Sequence, residues 1–201
     1  MLCVATANGT VHLFDMNAKS VAYSLKGKEH IRPLNLVHSK SHLLAVGTST
    51  FALYDLSAKT QSLFVKHDSK IISATLSNDK VYLTEGKNEV LVFSVTSGTL
   101  ETRIEFPHNI YVLSQVRNKS NAQVVAASSC DKVVNVFNAD TTDLLYTFSS
   151  PDEETLTKAC VSIFDSQFLV ASWHGDTEET NVKHTISFYT LINGKEYNRH
   201  E

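Results

Sequence analysis

The hydrophobic positions of this chain fall in short runs of about four to seven residues, separated by polar turns. One pattern returns five times: two or three apolar residues, an aromatic residue, a small or acidic residue, and then a turn. The copies occupy residues 11–15, 51–55, 90–94, 134–138 and 186–190. They are rich in β-branched and aromatic residues, and no run keeps helical spacing long enough to form a helix. The pattern predicts an all-β fold.

The aromatic residue of each copy marks a regular period along the chain. The five markers are Phe14, Tyr54, Phe93, Phe137 and Tyr189, at intervals of 40, 39, 44 and 52 residues. A period near forty is that of a four-stranded β-propeller blade. Each marker is followed by residues that favour a tight hairpin turn: Asn17-Ala18-Lys19, Ser57-Ala58-Lys59, Thr96-Ser97-Gly98, Asp140-Thr141-Thr142 and Asn193-Gly194-Lys195.

The repeats divide the chain into one propeller portion spanning residues 1–201. We expect its blades at roughly 1–26, 30–66, 68–106, 108–148 and 156–201, with the first blade starting in its second strand. About four and a half blades are fewer than the seven of the common closed ring. We therefore interpret the sequence as part of a longer chain that forms a larger ring. A five-bladed ring closed in an unusual way is the alternative.

The repeats resemble the WD-repeat family over nearly the whole chain. That family carries Trp-Asp at the end of the third strand, and this chain has Phe14-Asp15, Tyr54-Asp55, Phe93-Ser94, Phe137-Asn138 and Tyr189-Thr190 there. The family's Gly-His position is occupied by Glu29-His30, Lys66-His67 and Pro107-His108. The resemblance implies a hydrogen-bonded His, Ser/Thr, Asp and Trp in each blade. His108, Ser128 and Asp131 match three of those positions, but Phe137 has no N–H to donate, so we expect the blades to depend more on packing.

A finer resemblance covers the stretch from Leu83-Thr84-Glu85-Gly86 to Thr147-Phe148. It is similar to the WD-repeat subunits of the nucleolar small-subunit processome, which are associated with the U3 snoRNP. That similarity implies a role in small ribosomal subunit biogenesis and rRNA processing. Coat-complex, nuclear-pore and ubiquitin-ligase adaptor propellers share the general pattern and remain alternatives.

Composition limits the classes of function. The formal net charge is -3, which disfavours a protein that mainly grips phosphate backbones. The three cysteines, Cys3, Cys130 and Cys160, have no CxxC spacing, which favours a reducing compartment over a disulfide scaffold or a zinc site. No apolar run approaches the length of a membrane span. Composition therefore favours an intracellular protein, nuclear or cytosolic, and the finer resemblance implies the nucleus or nucleolus rather than the cytoplasm.

Candidate catalytic and metal-binding residues have simpler structural interpretations. His38 and His42 flank a predicted hairpin turn, where their spacing does not bring two imidazoles together. The cluster Asp152-Glu153-Glu154 follows a proline and reads as a solvated loop. His30, His67 and His108 are interpreted as caps that bond the backbone of inter-blade loops. The predicted innermost strands are almost without acids or histidines, so we predict no enzyme, no catalytic, cofactor or metal residue and no small-molecule substrate.

Recognition is the function that these features favour. The segment 174–184 enlarges the turn between the second and third strands of the last blade, so it is either a partner contact or a disordered loop. Trp173 beside it is either a core residue or an interface anchor. We predict a scaffold that binds other protein subunits of a multiprotein assembly, with RNA (pre-rRNA or snoRNP) contacted indirectly. The alternative is an RNA-binding module in its own right, in which dispersed cations converge on one face: Lys26, Lys28, Arg32, Lys66, Lys70 and Lys119.

Overall fold

The structure is a computed structural model. It describes residues 2–6, 8–26, 35–38, 41–77, 79–117, 122–127, 133–149, 156–164, 168–175, 184–190 and 196–200. All regular structure in these residues is β-strand, arranged in five antiparallel sheets. The all-β prediction is confirmed. The described part of the chain contains no helix that could span a membrane.

The first sheet has three strands: β1 (Leu2–Ala5), β2 (Thr10–Asp15) and β3 (Ser20–Lys26). The second sheet has four: β4 (Asn35–His38), β5 (His42–Val46), β6 (Thr50–Asp55) and β7 (Thr60–Lys66). The third has β8 (Ser73–Ser77), β9 (Lys80–Thr84), β10 (Glu89–Ser94) and β11 (Leu100–Glu105). The fourth has β12 (Val112–Arg117), β13 (Ala122–Ala127), β14 (Val133–Asn138) and β15 (Leu144–Ser149). The fifth has β16 (Leu156–Phe164), β17 (Phe168–Gly175), β18 (His184–Thr190) and β19 (Glu196–His200).

Every sheet is a meander in which each strand pairs with the next one along the chain. Each sheet also contacts the following sheet, so the five are arranged in chain order like the blades of a propeller. Among the described residues they do not close into a ring. The four-stranded meander repeated at the period of the aromatic markers is the architecture that the sequence pattern predicts.

The hydrophobic core lies between blades rather than within one sheet. Three clusters of buried side chains fill the successive interfaces of the first four blades. In the cluster between the second and third blades, Leu53 of β6, Leu76 of β8 and Leu83 of β9 are fully buried. Because each inner sheet is covered on both faces, its middle strands are buried at consecutive positions instead of alternate ones. The outer strand β11 is exposed at all but one position.

Candidate interaction surface

In the first four blades, the residue after the aromatic marker closes the turn into the outer strand. Asp55 Oδ1 accepts hydrogen bonds from the backbone N–H groups of Ser57 (2.8 Å) and Ala58 (2.9 Å). The Ser57 hydroxyl also donates to Asp55 Oδ1. Chiefly this bond, together with the two backbone bonds, holds the pKa of Asp55 below its ordinary value. Asp15 and Asn138 make the equivalent pair of bonds, and the Ser94 hydroxyl makes longer ones of 3.3 and 3.4 Å. The Asp position of the WD pattern is therefore a turn cap in this chain.

The aromatic marker itself lies at an irregularity in the sheet. In all five sheets, the pairing with the outer strand shifts register immediately before the marker, at Phe14, Tyr54, Phe93, Phe137 and Tyr189. Four residues after the capping position, the turn reaches a positive φ at Lys19 (51°), Lys59 (55°), Gly98 (71°) and Thr142 (65°). The bulge and the left-handed residue together set the direction in which each outer strand leaves its turn. The turn predicted at residues 193–195 lies outside the described residues.

A second set of contacts fixes the linkers between blades. The Ile71 N–H donates to the Thr48 carbonyl, and the His67 N–H donates to the Ser49 carbonyl. One blade later, the Ile110 N–H donates to the Lys87 carbonyl and the Phe106 N–H to the Asn88 carbonyl. Each linker is thus bonded to the turn between the second and third strands of the blade that it leaves.

His67, interpreted from the sequence as a cap of an inter-blade loop, bonds a carboxylate through its ring. His67 Nε2 lies 2.6 Å from Oε1 of Glu85, in the turn after β9. The imidazole and the Phe93 ring form a T-shaped pair with a centroid distance of 6.0 Å. Phe93 occupies the tryptophan position of this blade. The blade therefore joins its histidine to its aromatic marker by a ring contact and adds a carboxylate that the sequence pattern does not flag.

The Glu85 carboxylate interacts with both His67 and Lys87 in this turn. Its side chain is only 7% exposed, and Lys87 forms an ion pair with its Oε2 atom. Burial opposes ionisation of Glu85, but hydrogen bonds from Lys87, His67 and Ser69 outweigh it and hold the pKa of this carboxyl below its ordinary value. The hydrogen bond to Glu85 in turn raises the pKa of Lys87.

Side-chain hydrogen bonds also join the third blade to the fourth. The buried Tyr82 hydroxyl donates to the Ala139 carbonyl at 2.5 Å, and burial, followed by the charges of Asp140 and Glu101, raises the pKa of Tyr82. The Thr84 hydroxyl donates to the Ile110 carbonyl at 2.8 Å, and the Leu113 N–H donates to the Ser73 hydroxyl at 3.1 Å. The interface is therefore specified by polar contacts as well as by packing.

Two equivalent clefts open beside the outer strands of the third and fourth blades. The first, of about 400 Å³, is lined by charged groups that include Glu85, Lys87, Glu89 and Arg103. The second, of about 310 Å³, lies one blade further along the chain, beside Phe106, Phe137 and Leu144. The same positions of successive blades thus form a charged cleft in one case and a mainly apolar one in the other.

The histidines singled out in the sequence lie in different parts of the fold. His108 lines the apolar cleft. His38 ends β4 and His42 begins β5, as expected for residues that flank a hairpin. No group of three or more potential metal ligands occurs among the described residues. His30, Ser128, Asp131 and the acidic segment 152–154 lie outside them.

The predicted recognition segment of the last blade is shorter than expected. His174 and Gly175 extend β17, and His184 begins β18 opposite His174, because the hairpin pairing continues beyond the apolar run. Residues 176–183 lie outside the described residues. Trp173 is within β17, where it pairs with Ala159 and Thr185 in register.

The dispersed cations are only partly brought together. Lys26 and Lys66 occupy the same register position at the ends of β3 and β7, opposite Thr10 and Thr50. The equivalent position of the third blade is Glu105, opposite Glu89, so the basic positions do not continue around this rim. Lys28, Arg32 and Lys119 lie outside the described residues.

A human protein shares sequence similarity with the chain. It is described as U3 small nucleolar RNA-associated protein 18 homolog and is 30% identical over 148 residues. The alignment covers 70% of this chain and 26% of that protein, so the chain spans about a quarter of the length of the relative it matches. No protein-family model matches the chain.

Solved structures with the same architecture cover almost the whole chain. The computationally designed Ika8 protein has a TM-score of 0.69 at 15% identity and aligns with 98% of this chain and 57% of its own. The U3-55K structure has a TM-score of 0.66 at 11% identity, with coverages of 96% and 58%. The WD40 domain of Neurospora crassa Pan2 has a TM-score of 0.64 at 14% identity, with coverages of 98% and 61%. At these identities the likeness establishes the fold alone, and the chain has the blade architecture of a β-propeller.

Proposed function

We propose that this chain is the propeller portion of a non-enzymatic scaffold subunit that acts in small ribosomal subunit biogenesis. The observation that carries the proposal is the 30% identity over 148 residues with the human U3 small nucleolar RNA-associated protein 18 homolog. Residues 1–201 would act as one unit, with the blades at 1–26, 30–66, 68–106, 108–148 and 156–201. The partners would be other protein subunits of a nucleolar assembly, with pre-rRNA or snoRNP contacted through them.

The geometry of the blades supports a scaffold. Polar side chains of the third blade are engaged in holding blades and turns together: Tyr82, Thr84, Ser73 and Glu85 all have structural hydrogen bonds. Such bonds favour a rigid body that offers its rims and clefts to partners. The acidic net charge of -3 and the interruption of the basic rim at Glu105 favour protein partners over direct gripping of RNA.

Crosslinking mass spectrometry on the full-length protein in its native cell would test the proposal. We expect crosslinks from residues 1–201 to proteins of the pre-ribosomal particle. Crosslinks dominated by coat-complex or ubiquitin-ligase subunits would overturn the ribosomal assignment.

Ultraviolet crosslinking followed by RNA sequencing would separate the scaffold from an RNA-binding module. A scaffold should give few RNA crosslinks within residues 1–201. Abundant crosslinks there, with affinity that falls steeply as salt is added, would identify direct phosphate contacts instead.

A further inference from the structure

The outer strand β15 differs from the other outer strands by its lack of charge. The strands β3 and β7 each contain a lysine, β11 contains Glu101, Arg103 and Glu105, and β19 contains Glu196 and Arg199. The sequence of β15 is Leu-Leu-Tyr-Thr-Phe-Ser. Charged residues on an edge strand discourage pairing with foreign strands. The edge of the fourth blade has no such protection.

The same strand exposes apolar surface. Leu144 is 58% exposed and Leu145 is 37% exposed, although both begin a regular strand. β15 is last in its sheet, so its outer edge pairs with no strand that the structure describes. Backbone groups on an edge of this kind can add an extended segment of another chain.

The apolar cleft lies alongside this edge. Its volume is about 310 Å³, and Leu144 and Thr147 of β15 line it together with Phe106 and Phe137. Alternate side chains of a strand point to the same face of its sheet. An extended segment added to β15 would therefore place alternate side chains on the face that opens into the cleft, where an apolar side chain fits.

The surroundings of the cleft are acidic. Glu105 lines it from the side of the third blade, and Asp143 is exposed in the turn that leads into β15. Glu101 and Asp140 both raise the pKa of the buried Tyr82, so both carboxylates act on the same interface. Lys80 is the cation that reaches this turn, and its Nζ bonds the Asp140 carbonyl at 3.3 Å. Arg103 is paired with Glu89 at 2.8 Å.

From the uncharged edge, the apolar cleft and the acidic surroundings, we propose that β15 is a docking site for an extended partner segment that carries an apolar residue flanked by basic residues on one face. The partner's backbone pairs with β15 and one apolar side chain enters the cleft beside Phe137 and Leu144. Basic residues two positions before and after it lie on the same face of the added strand, where they face Glu105 and Asp143. This inference rests on the proposed scaffold function and assigns one of its protein contacts.

The test measures peptide binding to the full-length protein by fluorescence anisotropy. The probe is the hexapeptide Arg-Thr-Leu-Thr-Arg-Thr, which puts its leucine and both arginines on one face of a strand. It is compared with Glu-Thr-Leu-Thr-Glu-Thr and with an N-methylated form of the basic peptide that cannot complete a strand ladder. We expect the basic peptide to bind, and the other two to bind at least about tenfold more weakly. Bound peptide should also slow hydrogen exchange of backbone amides in residues 144–149.

Matched variants locate the site. Leu144→Arg places a charge on the exposed edge and should weaken binding of the basic peptide by about tenfold or more, and Glu105→Gln should weaken it by a smaller factor. Leu100→Arg, at the equivalent position of β11, should leave binding unchanged. Because Leu144 and Leu100 are both exposed, each variant should keep the thermal unfolding midpoint of the unmodified protein.

Several results would overturn the docking site. The basic peptide does not bind, the acidic peptide binds equally well, or Leu144→Arg and Leu100→Arg lose equal affinity. Two further results would also overturn it: single-stranded RNA alone slows hydrogen exchange in residues 144–149, or the protein self-associates in a way that Leu144→Arg abolishes. If any of them occurs while U3 snoRNA still co-precipitates with the protein, the docking site is wrong and the scaffold function stands. Failure of that co-precipitation would instead count against the scaffold function.

Discussion

The imidazole of His67 and the carboxylate of Glu85 lie 2.6 Å apart, although 18 residues separate them in the sequence. The bond joins the linker that enters the third blade to the turn between its second and third strands. In the WD pattern, the histidine is held by an aspartate and by the N–H of a tryptophan. Here the Glu85 carboxylate bonds the imidazole, and Phe93 forms a T-shaped ring contact with it.

Glu85→Gln should destabilise the protein at neutral pH by about 1–2 kcal/mol, because it replaces a buried, charge-assisted acceptor. The folded-state pKa of Glu85 is lowered, so its stabilisation is present above the unfolded value of 4.5 and is lost as pH falls through the folded pKa. Urea unfolding at about pH 7 and about pH 3 measures both effects. The difference between variant and unmodified protein should shrink at the lower pH.

The matched control for this variant is Glu89→Gln. Glu89 pairs with Arg103, which is 51% exposed, and surface ion pairs of this kind contribute about 0–1 kcal/mol. A Glu85→Gln effect that equals that of Glu89→Gln, or that stays the same at acid pH, would contradict the assigned role of Glu85.

Tyr82→Phe should lower the free energy of unfolding by about 1–2 kcal/mol, because it leaves the Ala139 carbonyl without the hydroxyl that bonds it across the blade interface. Tyr54→Phe provides the control, since Tyr54 is equally buried and its hydroxyl has no hydrogen-bond partner among the described residues. That substitution should change the free energy of unfolding by less than about 0.5 kcal/mol. Urea midpoints with unchanged slopes would give both values, and equal costs would show that the Tyr82 bond contributes nothing.

Gly98→Ala should destabilise the protein by about 1–3 kcal/mol. Gly98 has a φ of +71°, and a Cβ there would lie 2.9 Å from Leu63 Cδ1 and from Val65 Cγ2 of the preceding blade. Lys19 has a positive φ at the equivalent turn position, and Lys19→Gly should leave stability unchanged or raise it by up to about 1 kcal/mol. Thermal unfolding of both variants measures the contrast, and a neutral Gly98→Ala would contradict the close approach of β7.

The sequence pattern predicted what is local and repeated. The aromatic markers, the capping residues such as Asp55 and the turns that follow them recur at a fixed spacing, so their strands and hairpins could be read from the chain. The partner of His67 could not be predicted, because Glu85 has no counterpart in the pattern and contacts the imidazole only in the folded blade. The apolar cleft at Phe137 and Leu144 was missed for the same reason, since one wall belongs to the third blade and the other to the fourth. The absence of charged residues from 144–149 was the sequence feature that could have indicated this surface.

Recovery of U3 snoRNA with the full-length protein tests the proposed function most directly. Purification through a tag under native conditions, followed by quantification of U3 snoRNA against an unrelated small nuclear RNA, gives the measurement. We expect strong enrichment of U3 snoRNA over the unrelated RNA. Recovery of U3 snoRNA at the background level would contradict a propeller scaffold in this assembly.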